Sequence, residues 1–236
     1  MIDLTRIKAI TLDLDDTLWP IWPTIARAEE ALLGWLAENA PRTAALCATP
    51  GLQRQVREQM PLLRPDLASD MSALRREAIR ILLGRAGEST DLAEIAFDFF
   101  LEQRQKVVLF ADVLPALDFL QARYPLVSVS NGNADIHKVG LGKYFTAALS
   151  AHQLGIAKPD VSIFHAGAQA AGVLPHEVLH IGDDAHLDCI GGLDAGMQVV
   201  WVNREAHVWS HADKQPHLEV PDLHALCAHW PEYQPS

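Results

Sequence analysis

The chain has 236 residues, 49% hydrophobic and 21% charged, with a formal net charge of −11. This is globular composition, so dominant disorder is excluded, and the acidic balance argues against a nucleic-acid backbone binder, which needs a basic excess. No apolar run reaches about 18 residues, and the acidic opening MIDLTRIKAITLDLDD lacks a cleavage site, so neither membrane partner nor signal peptide is expected.

Taken in chain order, residues 7–14 (IKAITLDL) form a short apolar, β-branched run that predicts a buried strand ending at Asp13 and Asp15. Residues 20–108 switch to helical spacing. Ile25, Ala28, Leu32 and Leu36 share one face, and Met71, Leu74, Ala78 and Leu82 repeat the pattern. Asp91 with Glu94 three residues on predicts a capping-box start. Four helices are expected here. From about 109 strands and helices alternate. Pro115 suits the first turn of a helix through Arg123. LVSVS (126–130) predicts a strand, and a helix near 160–171 stops at Gly172. VLHIG (178–182) is a strand, a helix runs on to Gly196, and QVVWV (198–202) is a strand. The alternation predicts an α/β fold with a Rossmann-like parallel sheet covered by helices on both faces, plus an all-helical insert. The expected boundaries are 1–18 and 109–236 for the core and 19–108 for the insert. Ligands of such sheets bind beyond the strand C-terminal ends, where Asp13, Asp15, Ser130 and Asp183 fall. Three separated cysteines, Cys47, Cys189 and Cys227, with no CxxC, point to a reduced, cytoplasmic setting.

Four polar clusters carry chemistry. Asp13 and Asp15 are carboxylates two residues apart. Such a pair suits a hard cation such as Mg²⁺, or a nucleophile beside a general acid, or simply an acidic strand end. Ser130-Asn131-Gly132 offers a hydroxyl and free N–H groups for phosphate oxygens, or a plain turn. Lys158 before Pro159 is a candidate cation for a phosphoryl group, or a surface lysine. Asp183-Asp184, with Asp188 behind them, offers a metal ligand and its support, or an acidic helix start.

Together, DLDDT, VSVSNG, AKP and IGDDAHLD resemble the four ordered motifs of the haloacid dehalogenase (HAD) superfamily, over essentially the whole chain. The resemblance implies that Asp13 is nucleophile and metal ligand. Asp15 is general acid/base and lends its backbone carbonyl to the metal. Thr17, Ser130, Asn131 and Gly132 lie on the substrate phosphate, Lys158 orients phosphate and nucleophile, and Asp183 completes a Mg²⁺ site. The insert resembles the superfamily's C1-type cap. Dehalogenase members lack the second aspartate of the first motif, so Asp15 implies a phosphatase acting on a small phosphorylated metabolite. SNGNA, LGKYF, HIGDD and GMQVVWV resemble the bacterial branch acting in riboflavin synthesis, on 5-amino-6-(5-phospho-D-ribitylamino)uracil and FMN. Phosphoglycolate, a nucleotide or a sugar phosphate is the alternative, with a haloacid or a non-catalytic ligand-binding role behind them.

Trp19 and Trp22, just after the first motif, could stack on a flat ring, and packing between cap and core is the favoured expectation for both. His176-Glu177-Val178-Leu179-His180 spells HExxH, but it runs into a strand. There positions i and i+4 lie ~13 Å apart, too far to share one zinc. Gly191-Gly192 is read as close packing within a helix.

Overall fold

The computed structural model describes residues 1–67 and 70–234. Contacts divide it into two compact units, a core of Met1–Pro20 with Val108–Ser236 and a helical unit of Ile21–Val107.

The core is a six-stranded, all-parallel sheet in the order β3-β2-β1-β4-β5-β6. The strands are β1 (Ala9–Leu12), β2 (Leu126–Ser130), β3 (Ala147–Ser150), β4 (Val178–Gly182), β5 (Gln198–Val202) and β6 (Leu218–Val220). Every residue of β1, β2, β4 and β5 is buried, as expected of strands covered on both faces. The edge strands β3 and β6 escape the sequence reading. They are only partly covered, so neither has a continuous apolar run.

The helical unit holds α1 (Ile21–Asn39), α2 (Pro41–Cys47), α3 (Leu52–Leu63), α4 (Met71–Arg85) and α5 (Leu92–Arg104). Among the described residues, five α-helices replace the expected four. Proline at the N-terminus of the short α2 starts a new helix directly after α1. The expected capping box at Asp91 does not form. Asp91 has helical backbone angles and makes no side-chain cap bond, whereas Asp70 caps α4 by accepting from Ala73 N–H. One interior cluster joins Ala28, Leu32 and Leu36 of α1 to Ile79, Leu83, Phe97 and Phe100; a second joins Cys47, Val56, Met60, Leu74, Ala78 and Leu82.

In the core, α6 (Val113–Gln121), α7 (Ala151–Leu154), α8 (Val161–Ala170), α9 (Gly191–Asp194) and α10 (Leu223–Cys227) link the strands. A π-helical turn, Ala185–Ile190, precedes α9. Gly172 and Gly196 adopt φ of +72° and +77°, left-handed conformations that stop α8 and α9. Arg204, just past β5, ties the core loops together. It donates to the Thr17 carbonyl at 2.9 Å and to Asp112 at 2.8 Å, while its guanidinium lies 3.9 Å over the Phe110 ring.

Candidate active site

The loop after β1 brings Asp13 to the site. Its N–H donates to the Ile181 carbonyl at 2.9 Å, which locks the strand end to β4. The chain then turns sharply at Asp16, whose φ of +57° is a left-handed conformation that aspartate tolerates better than most residues. Asp16 N–H closes the turn on the Trp19 carbonyl at 2.8 Å. The Trp19 indole N–H donates to Asp15 Oδ1 at 2.8 Å. Trp19 is therefore neither a stacking platform nor plain packing; it is fully buried and holds the Asp15 carboxylate. Trp22 is 76% exposed.

Lys158, buried in the loop before α8, reaches Asp13 Oδ1 at 2.5 Å and Asp188 Oδ1 at 2.6 Å. Burial alone would lower its pKa, but the charges of Asp13 and Asp188 outweigh that and raise it, so it stays a cation. Asp188 also accepts from His180 Nε2 at 3.1 Å and, through Oδ2, from Asp184 N–H at 3.1 Å. Burial would raise its pKa, but Lys158 and the His180 hydrogen bond hold it at about 2. Gly182 leaves room for this carboxylate, since a Cβ there would stand 2.2 Å from Asp188 Cγ.

Carboxylate oxygens of Asp13, Asp183 and Asp188 all lie within 4.8 Å of one another. Burial and the neighbouring carboxylates push Asp13, against the pull of Lys158, up to about 7 and Asp183 up to about 9. Crowded carboxylates with raised pKa values form an oxygen-only donor set that fits a hard divalent cation. Asp188 is the member least suited to ligate, because both its oxygens already accept hydrogen bonds from the protein. Asp184 Oδ1 is likewise engaged, capping the π-helical turn through His186 and Leu187 N–H groups. Asp183 is held at both ends, its Oδ1 by the Thr17 hydroxyl at 2.9 Å and its carbonyl by the Trp201 indole at 2.6 Å.

Some expected roles change. Thr17 is fully buried and its hydroxyl donates to Asp183, so it braces that aspartate. The Asn131 side chain clasps the backbone of Lys158, accepting from its N–H at 2.8 Å and donating to its carbonyl at 3.0 Å. Ser130 Oγ accepts from Gly132 N–H at 3.0 Å, so hydroxyl and amide engage each other at the end of β2. His180, the second histidine of the HExxH string, sits inside β4 with no exposure. Trp201, Trp19 and His180 are contributors the sequence reading missed. Their apolar or strand context masks polar atoms that only the fold directs at the aspartates.

Residues 7–196 match the haloacid dehalogenase-like hydrolase family. The chain belongs to that family. Among relatives of this HAD hydrolase, the 5-amino-6-(5-phospho-D-ribitylamino)uracil phosphatase YigB of Escherichia coli is 32% identical, covering 94% of this chain and 96% of its own. A phosphoserine phosphatase of Thermus thermophilus is 26% identical, covering 92% and 96%. A solved structure described as a 2-haloacid dehalogenase from Pseudomonas syringae is 38% identical, covers 92% of this chain and 95% of its own, and superposes with a TM-score of 0.83.

Proposed function

We propose that this HAD hydrolase is a Mg²⁺-dependent phosphomonoester hydrolase that works through a phospho-aspartate on Asp13. The observation that carries the reading is Asp15. It is a second carboxylate two residues past Asp13, oriented by the Trp19 indole and close enough for its charge to act on Asp13. Expelling a halide needs no proton donor, whereas expelling an alkoxide does. The oxygen-only cluster at Asp13 and Asp183 favours the same side, since a charged phosphoryl group gains from a hard cation and a haloacid does not.

The steps follow from the contacts. Lys158 occupies Asp13 Oδ1, which leaves the other carboxylate oxygen to attack phosphorus. The new bond joins Asp13 to phosphorus as the ester P–O bond breaks, and Asp15 gives its proton to the leaving oxygen. Asp15, now ionised, accepts a proton from water as the water oxygen bonds phosphorus and the bond between Asp13 and phosphorus breaks, so phosphate leaves, Asp13 returns to a carboxylate and Asp15 to its protonated form. Lys158 offsets charge on nucleophile and phosphoryl oxygens, while Ser130 and the Gly132 amide, by exchanging their mutual bond, can turn to a phosphate oxygen. A bound Mg²⁺ would be held by Asp13, the Asp15 carbonyl and Asp183 and would supply further positive charge to the transferring group.

For substrate, the 32% identity to YigB supports 5-amino-6-(5-phospho-D-ribitylamino)uracil, with FMN as a related ester. The helical unit is read as the C1-type cap that selects it, in a cytoplasmic enzyme. Other small phosphoesters are the alternative, favoured by the phosphoserine phosphatase relative. The dehalogenase reading has the Pseudomonas structure in its favour. The test measures Mg²⁺-dependent phosphate release from both flavin-type esters, phosphoserine, phosphoglycolate, a nucleotide and a sugar phosphate, and chloride release from 2-chloropropionate. The expected result is phosphate release strongest on the flavin-type esters, reduced ~10⁴-fold or more by Asp13→Asn. Chloride release without phosphate release overturns the reading.

A further inference from the structure

A histidine with no exposure in the middle of a central strand is costly unless both ring nitrogens are satisfied. His180 meets that demand with two partners. Its Nδ1 lies 2.8 Å from the Thr11 hydroxyl in β1, and its Nε2 lies 3.1 Å from Asp188 Oδ1. An ionised carboxylate only accepts, so Nε2 carries the hydrogen. Burial lowers the ring's pKa and keeps it neutral, so Nδ1 must accept from the Thr11 hydroxyl. One tautomer follows, with every donor pointing the same way along the chain Thr11, His180, Asp188.

The surroundings fix the ring. Phe164 of α8 meets it edge-on, with centroids 4.9 Å apart at 86°. Two glycines let α9 close in on this pair. A Cβ on Gly191 would stand 2.6 Å from Phe164, and one on Gly192 2.9 Å from Val199 and 3.4 Å from His180. His180 therefore has no freedom to leave Asp188, and Asp188 Oδ1 is the same atom that accepts from Lys158 at 2.6 Å.

We propose that His180, set by Thr11, is a positioning residue that orients Asp188 so that Asp188 holds Lys158 against Asp13. The role rests on the phosphatase reading for its reaction, though not for its geometry. Without the His180 donor, Asp188 keeps Lys158 and the Asp184 amide as partners but loses the contact that sets the tilt of its carboxylate. The ammonium of Lys158 then loses its fixed place on the nucleophile. Displacements of this kind act on kcat, since small misplacement of a reacting group costs ~10²-fold.

The experiment uses the full chain with p-nitrophenyl phosphate and Mg²⁺. His180→Phe keeps the ring packing against Phe164 and removes both hydrogen bonds. It should lower kcat ~10–100-fold with KM within about twofold. Asp188→Asn should lower kcat at least as much, and the double variant should match Asp188→Asn alone, because the histidine acts only through that carboxylate. Thr11→Val should show a smaller loss that Thr11→Ser restores. An unchanged kcat in His180→Phe, or a full multiplication of its loss onto Asp188→Asn, overturns the proposal. Independently of turnover, and of whether His180→Phe folds, the imidazole ¹⁵N shifts of the native protein should report a neutral ring protonated on Nε2. Protonation on Nδ1 alone overturns the proposal. A native enzyme inactive on every ester, with the ring still protonated on Nε2, overturns the phosphatase reading and leaves the geometry standing.

Discussion

In the core unit the decisive ionised groups are sealed in the loops and turns that follow the strands, with Lys158 and Asp188 side chains only 3% and 1% exposed. In the helical unit the ion pairs are more open, from Arg75 and Glu29 at 19% and 24% to Arg54 and Glu58 at 79% and 61%, and, apart from the buried Arg104, the interior is carried by Phe97, Phe100 and aliphatic residues. Buried charge costs stability and is tolerated when every atom is matched; exposed pairs contribute little either way. The difference separates what the two units do for the protein. One concentrates chemistry at some expense in stability, and the other secures its own fold by apolar packing.

The sharpest way to break that comparison is Lys158→Met. It should lower kcat by ~10²–10³-fold while far-UV circular dichroism stays native. Unfolding in place of inactivity would mean that the buried charges hold the core together. Phe97→Ala in α5, a side chain only 1% exposed, should do the reverse within its own unit and destabilise by ~3–5 kcal/mol, read as a fall in the urea midpoint. A smaller effect is expected from Asp112. Burial would raise its pKa, but Arg204 and the Leu223 amide bring it below the ordinary value of 3.8. A carboxyl depressed on folding adds stability above its unfolded pKa and loses it as pH falls through the folded one. The melting temperature should thus drop below about pH 4, and Asp112→Asn should flatten that drop at the cost of stability near neutrality. Glu58→Gln, which breaks the exposed i,i+4 pair with Arg54, should leave the melting temperature unchanged within error.

The strands legible in the sequence were those buried on both faces, because only there does the chain need an unbroken apolar run. β3 and β6 lie at the sheet edges, and β6 spans only Leu218–Val220, too short for any pattern to register. In the site, Asp13, Lys158 and Asp183 could be read because strand ends and local motif order point to them. Their supports could not. Trp19 reads as an aromatic, Thr17 as a phosphate contact and His180 as half of a zinc motif. The partners that give them meaning lie far off in sequence, as Thr11 and His180 do at 169 residues apart. Hydrogen-bond direction is a property of the assembled sheet, and no window along the chain contains it.

The order of the strands has one more consequence. The chain leaves the core after β1 and returns to lay β2 directly beside it, in register from Ile10 against Leu126. The whole helical unit is therefore one long loop between two neighbours in the sheet. The entropy lost on closing such a loop grows only logarithmically with its length, by about 0.6 kcal/mol per doubling. A change in the insert's length thus alters the closure term very little, provided that the folded insert still brings its two ends to neighbouring strands. A scaffold wired this way can exchange its insert wholesale on that condition while the aspartates and lysine in the loops and turns that follow the strands stay where they are.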